Sequence, residues 1–288
     1  MATANDFKND VKPNWCPGCG DYGVLAAIQK AAANCGIEPH QLALSTGIGC
    51  SGRLAGYVRS YGVHGLHGRA LPVAQGIKMA NRELTVIAAG GDGDGFAIGT
   101  NHTVHAMRRN IDMTYIVMDN QIYGLTKGQM SPRSDIGQIT NSSPTGSVER
   151  PISSVQLALA SGATFVAQSF SSDLNQMTDI IEKAINHKGF SLVVIYSPCP
   201  TYNKTNDVQW YKERLSNVAD IAGYNPSDIT AAFKAITEKE GWLTGVLYQK
   251  EMASYQEVVK GYAPEALVKA DLNLSEDLFY NTLVKEYI

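Results

Sequence analysis

Five continuously apolar, β-rich runs, separated by stretches long enough for helices, constrain this chain more than any other feature. They lie at 41–46 (QLALST), 83–89 (ELTVIAA), 113–118 (MTYIVM), 163–167 (ATFVA) and 191–196 (SLVVIY). A run that does not alternate with polar residues is buried on both faces, as strands inside a parallel sheet are. Helix-like segments at roughly 21–34, 70–81, 97–109, 152–161 and 171–187 fall between or beside them, with Asp173 placed to cap the last and Gly189 to end it. This alternation predicts an α/β fold: a doubly wound, mostly parallel sheet with right-handed crossovers. The strand pattern fades from about 205. We therefore expect an α/β domain over 1–204 that carries the chemistry and a C-terminal extension over 205–288, mostly helical or irregular, that packs on the core or on a partner chain.

Composition excludes several function classes. A formal charge of −3 and the lack of a Lys/Arg run argue against a nucleic-acid surface. No stretch reaches the ~20 apolar residues of a membrane helix, and the opening MATANDFKND has no apolar signal core, so a cytoplasmic protein is expected. Five cysteines, an odd count, point to metal binding or buried thiols rather than a disulfide framework.

Strand 83–89 runs directly into GGDGDG at 90–95. In a parallel sheet this loop lies at the carboxyl edge, where ligands bind. Its glycines let the backbone approach a diphosphate, the following helix offers N–H groups to an anion, and Asp92 offers a hard oxygen to magnesium. The next strand ends in Asp119-Asn120, with Asn120 28 residues after Asp92, the length of one helix-plus-strand unit. Adjacent strands would bring Asn120 and a nearby carbonyl, that of Ile122, to the same ion. A dinucleotide site fits less well, because G-x-G-x-x-G spacing is missing and Asp92 and Asp94 would repel an unmetallated diphosphate.

Taken in order, WCPGCGD, STGIGCSGR, HGLHGRALPVAQGIK, GGDGDG, MDNQIYGLTKGQ and SPCPTYN resemble the β subunit of 2-oxoacid:ferredoxin oxidoreductases, particularly the 2-oxoglutarate type, over roughly residues 12–205. The resemblance implies a thiamine diphosphate-binding fold and CoA-dependent oxidative decarboxylation of a 2-oxo acid. 2-Oxoglutarate is favoured over pyruvate, and ferredoxin takes the electrons. It implies cofactor contacts from the turn Ile48-Gly49-Cys50-Ser51, from Gly93 and Asp94, and from Gly124 and Leu125.

Cys16 and Cys19 form C-P-G-C, which alone suits zinc, a redox pair or half a cluster site. A zinc ribbon would need a second close C-x2-C, and the sequence has none. Cys50 and Cys199 each follow a predicted strand at its carboxyl end. The resemblance implies Cys16, Cys19, Cys50 and Cys199 as ligands of one 4Fe–4S cluster. Cys35, in ANCG, reads as a small core residue.

A 2-oxo acid needs cationic partners. Lys127 is the first candidate and Arg53 the second, with Arg133 also near the carboxyl edge. His67, ahead of Gly68-Arg69 and a helix start, is a candidate for diphosphate or substrate contact, ahead of His64; His102 and His105 read as structural. Thiamine enzymes need a carboxylate on the aminopyrimidine, and none of Glu38, Glu83 or Glu149 is well placed. In the family an α subunit supplies that glutamate, so this chain is expected to work only in an αβ or (αβ)2 assembly. A cluster-free thiamine carboligase and a zinc-stabilised scaffold are the competing readings.

Overall fold

The computed structural model describes residues 1–260 and, beyond them, positions 265, 266, 269, 279, 281 and 284–286. Its centre is an eight-stranded sheet. In chain order the strands are β1 (Leu42–Thr46), β2 (Tyr61–His64), β3 (Thr85–Gly91), β4 (Met113–Asp119), the short pair β5 (Ile122–Tyr123) and β6 (Gln129–Met130), β7 (Phe165–Phe170), β8 (Phe190–Tyr196), β9 (Ser216–Asn217) and β10 (Leu243–Gln249). The large sheet runs β2-β1-β3-β4-β8-β7-β10-β9, parallel from β2 through β7, with β10 antiparallel to β7; β5 and β6 form a separate ribbon.

Among the described residues the α-helices are α1 (Asp21–Asn34), α2 (Ala70–Ala80), α3 (Thr100–Arg109), α4 (Ser154–Ala160), α5 (Leu174–Asn186), α6 (Val208–Arg214), α7 (Ile229–Glu238) and the single turn α8 (Tyr255–Val258). Two separate cores explain why the strands are apolar throughout. Ala43, Val86, Tyr115, Leu192 and their like face α2, α3, α4 and α7. Their chain neighbours Leu44, Ile87, Ile116 and Val193 face α1 and α5. Successive side chains point to opposite faces, and both faces are covered, so the fold is the expected doubly wound α/β sheet.

All five predicted strands and all five predicted helices are present, with shifted ends. Asp173 caps α5 by accepting from the Gln176 amide. Helix α3 begins at Thr100 rather than 97, because Asp94–Ile98 winds as a π-helical turn first; such turns are rare and concentrate at functional sites.

Three strands in the sheet were not legible, β2, β10 and the two-residue β9. β2 is exposed along its length and carries Gly62, so no apolar run marks it. β10 lies in the extension expected to be helical or irregular. There Gly245 (φ +106°) breaks the pattern, and the ladder shifts register between Val246 and Tyr248. The extension's first half thus completes the sheet edge; most of 261–288 lies outside the described residues. Among the described residues no helix is long and apolar enough to cross a membrane.

Candidate active site

The connections leaving β1 and β3 depart in opposite directions, to β2 on one side and β4 on the other. Ligands of open α/β sheets bind outside the carboxyl ends of the strands at such a point. A cavity of about 160 Å³ opens there. The turn after β1 contributes Ile48, Gly49, Cys50 and Ser51; His67 comes from the segment before α2. The loop after β3 contributes Asp92, Gly93 and Asp94, and the turn after β4 contributes Asn120, Ile122, Gly124 and Leu125. Every residue expected to touch a cofactor or magnesium is in this wall. A larger groove of about 840 Å³ lies between α5 and residues 249–253, but it shares no residue with this cavity.

Asp92 is 1% exposed. Ser131 Oγ donates to its Oδ2. Burial, and then the neighbouring Asp119 carboxylate, push the Asp92 carboxyl up to about 7, against a partial offset from Ser131 and the Arg133 guanidinium. Asp119 lies beneath it, ion-paired through Oδ2 to Arg133 Nε at 2.8 Å, with its Oδ1 left without a hydrogen bond. A dication beside Asp92 would favour the ionised carboxylate that burial disfavours. Asn120 Oδ1 accepts the Ile122 N–H at 3.0 Å and keeps its second lone pair. Carboxylate, amide oxygen and backbone carbonyl are the hard donors that magnesium takes, so the residues present fit that ion.

Asp94 has a different role from its neighbour. Its Oδ1 accepts the Ile48 N–H at 3.0 Å and the Gly68 N–H at 2.8 Å, and lies 2.8 Å from His67 Nδ1. An oxygen already accepting two amides is an acceptor toward His67 as well, so Nδ1 carries the proton and Nε2 is the ring nitrogen left for a ligand. The Asp94 carboxyl group is closed in by Gly47, where an added Cβ would sit 2.1 Å from Oδ2. Asp94 therefore ties three cavity segments together. Tyr123 closes the side by donating its hydroxyl to the Gly93 carbonyl at 3.1 Å.

The four cysteines expected to meet do occupy neighbouring loops. Trp15 Nε1 donates to the Cys50 carbonyl at 2.8 Å, and the Gly20 N–H to the Pro198 carbonyl at 3.3 Å, so the C-P-G-C loop is stitched to both other cysteine loops. Each of the Cys50 and Cys199 sulfurs lies 3.6 Å from the point a Cβ on Gly124 would occupy, so they are separated by at most twice that distance. Burial raises the Cys19 thiol well above its usual range and the Cys50 thiol to about 11, with Asp21 the next cause in both.

Among the described residues no three His, Cys, Asp or Glu side chains converge on a point where one ion could sit. An iron–sulfur cluster spreads its four thiolates over different irons, so the residues present fit a cluster. Cys35 stands apart, against Asn186 and Glu182 of α5.

Of the cationic candidates, Arg53 is exposed and donates to Asn14 Oδ1 at 2.7 Å. Lys127 is exposed and adopts a left-handed φ of +77°. Neither is in the cavity wall, and Arg133 is spent on Asp119 and the Ile152 carbonyl (2.7 Å). His64 binds Thr46 Oγ1 at 3.1 Å, a structural contact.

Sequence reasoning missed several residues that support the site. Asp21 is buried and accepts the Ser197 hydroxyl at 2.7 Å, joining α1 to the Cys199 loop. Asn203 Nδ2 donates to the Asn120 carbonyl at 3.1 Å. Gln121 holds φ +59°, an uncommon backbone state for a non-glycine residue.

Residues 45–195 match the family described as thiamine pyrophosphate enzyme, C-terminal TPP binding domain. Residues 199–264 match the family described as the C-terminal part of the pyruvate ferredoxin oxidoreductase beta chain. The 2-oxoacid:ferredoxin oxidoreductase subunit beta of Saccharolobus solfataricus is 41% identical, with 88% of each chain covered. The 2-oxoglutarate synthase subunit KorB of Archaeoglobus fulgidus is 40% identical over 82% of this chain and 90% of that one. A solved 2-oxoglutarate:ferredoxin oxidoreductase from Magnetococcus marinus, with 2-oxoglutarate, coenzyme A and succinyl-CoA bound, superposes with a TM-score of 0.86 at 40% identity, covering 89% of this chain and 88% of that one.

Proposed function

Because the chain belongs to the β subunits of the 2-oxoacid:ferredoxin oxidoreductases, we propose that it holds the diphosphate end of thiamine diphosphate, one magnesium ion and one 4Fe–4S cluster in an enzyme that oxidatively decarboxylates 2-oxoglutarate to an acyl-CoA and CO2. Ferredoxin is the electron acceptor in this reading. Five free cysteines suit a reducing, cytoplasmic setting.

One observation carries the proposal. Gly124 lines the cavity that contains Asp92 and Asn120, and the Cys50 and Cys199 sulfurs flank that same glycine. The cofactor cavity and the sulfur site share a wall one residue thick. Thiamine diphosphate supplies an electron sink for decarboxylation and the cluster a one-electron relay. The chain's own residues bind and orient. Asp92, Asn120 and Ile122 hold the cation. Gly49 and Gly93 let backbone approach the diphosphate. His67 presents Nε2, and Asp94 keeps it turned that way. Cys16, Cys19, Cys50 and Cys199 hold the iron. Lys127 and Arg53, outside the wall, are the candidates for guiding the substrate carboxylate.

The cavity supports an α-subunit partner. Ligand pockets usually measure ~300–1,000 Å³, and about 160 Å³ encloses only part of such a cofactor. Among the described residues no glutamate lines it, so the aminopyrimidine carboxylate and the remaining wall are assigned to the α subunit.

Anaerobic co-purification with that subunit tests the reading. We expect iron and acid-labile sulfide in equal amounts, bound thiamine diphosphate, and CoA-dependent dye reduction faster with 2-oxoglutarate than with pyruvate. Zinc in place of iron, or no sulfide, would sink the cluster assignment. Faster turnover of pyruvate would move the substrate assignment.

A further inference from the structure

Gln121 stands between Asn120 and Ile122, two of the three residues assigned to the cation. It is 1% exposed, and its φ of +59° is left-handed. A non-glycine residue stays there only where its surroundings over-determine it. Here they do, and the determining groups come from two distant segments. Ser134 Oγ donates to the Gln121 carbonyl at 2.6 Å. Asn206 Nδ2 and the Tyr211 hydroxyl, the latter at 3.2 Å, both donate to Gln121 Oε1.

Asn206 is itself held. Its Nδ2 also donates to Asp135 Oδ2 at 3.0 Å, and its backbone N–H donates to Asn203 Oδ1 at 3.3 Å. Asn203 in turn grips the Asn120 carbonyl and is tied through its N–H to the Cys199 carbonyl at 3.1 Å. Tyr211 is fully buried at the start of the C-terminal extension, in an aromatic cluster with Phe170 and Tyr196.

We propose that Asn206, backed by Tyr211, is a positioning residue for the cation turn. It grips Gln121 by the side chain and fixes the left-handed backbone that keeps Asn120 and Ile122 in the cavity wall beside Asp92. The extension then has a function beyond closing the sheet: its first segment sets the geometry of a site built by the α/β domain. This rests on the proposed magnesium reading of Asp92, Asn120 and Ile122.

The test uses the co-purified complex, with Mn²⁺ replacing Mg²⁺ in the presence of thiamine diphosphate and free Mn²⁺ read by electron paramagnetic resonance. Asn206→Ala should weaken Mn²⁺ binding about 10-fold or more, the usual cost of losing a group that orients a metal ligand. Tyr211→Phe should weaken it less, in the same direction. Adding Gln121→Gly to Asn206→Ala should recover part of the loss, because glycine takes a positive φ without a Cβ penalty. A purely structural role for Asn206 predicts no such recovery.

Wild-type Mn²⁺ affinity in Asn206→Ala, alongside its loss in Asp92→Ala, would overturn the clamp and leave the site standing. Unchanged affinity in Asp92→Ala would overturn both. If Asn206→Ala does not fold, Tyr211→Phe decides, and an unaltered affinity there refutes the clamp.

Discussion

Replacing Asp92 with asparagine should make the cation-free protein more stable at alkaline pH while abolishing cation binding. An unfolded aspartate titrates near 3.8, and burial places this one at about 7. Between those values the folded chain keeps a proton that the unfolded chain has released. Stability is therefore greatest below the unfolded value, falls as pH rises, and levels off above about 7. Roughly three units at ~1.4 kcal/mol each set a ceiling of about 4 kcal/mol for the whole cost. Between about pH 5 and pH 8 the wild type should lose roughly 3 kcal/mol that Asp92→Asn does not lose. Asp21, pushed by burial to about 6, adds a slope of the same sign; comparison with Asp92→Asn subtracts it, since the variant leaves Asp21 in place. Urea denaturation in chelator at both pH values measures the difference. Saturating Mg²⁺ and thiamine diphosphate should flatten the wild-type slope, because a bound cation favours the ionised carboxylate. An Asp92→Asn variant with the wild-type slope would refute the reasoning, and one that still binds the cation would remove Asp92 from its ligands.

Arg133→Met strands the Asp119 carboxylate in the interior; breaking such a pair costs ~3–5 kcal/mol, which should appear as a large drop in urea midpoint, and a shift under ~1 kcal/mol would show that water already reaches Asp119. Gly47→Ala puts a Cβ 2.1 Å from Asp94 Oδ2, so it should displace the carboxylate that ties Ile48, His67 and Gly68 together, cost ~1–3 kcal/mol and weaken thiamine diphosphate binding by calorimetry; wild-type affinity would mean that Asp94 does not organise the cavity. Cys199→Ser should bleach the visible absorption of the anaerobic complex while Cys35→Ser leaves it intact, and the reverse pattern would redraw the ligand set.

The parallel sheet was legible because burial on both faces leaves a mark in each strand: Val86 and Ile87, or Leu192 and Val193, face opposite cores, so both must be apolar. That Asp92 and Asn120 would line one cavity was legible for a related reason. Asp92 and Asn120 each follow such a strand, and β3 and β4 are neighbours. What supports them was not. Ser131 reaches Asp92 across 39 residues, Asn203 reaches Asn120 across 83, and Asn206 reaches Gln121 across 85. A serine or asparagine in a polar loop looks the same in sequence whether it faces water or holds a buried carbonyl. Strand β2 escaped because edge pairing asks less of side chains than central pairing does, β9 because two residues carry no pattern, and β10 because Gly245 and the register shift after Val246 interrupt it.

Charge in the cavity should couple the binding of the proposed cation and diphosphate. Among the described residues no lysine or arginine lines it, while Asp92 and Asp94 both do. Asp94 is offset locally by two amide hydrogens and His67. Asp92 has Ser131 and the more distant guanidinium of Arg133, which is committed to Asp119. A bare diphosphate would meet an uncompensated buried carboxylate, and a bare dication would meet too few donors. Each ligand removes the obstacle to the other, so cation and diphosphate should bind with strong positive coupling. Titrating thiamine diphosphate into the complex with and without Mn²⁺ measures that coupling, and equal affinities in the two titrations would show that the cavity neutralises Asp92 by some other group.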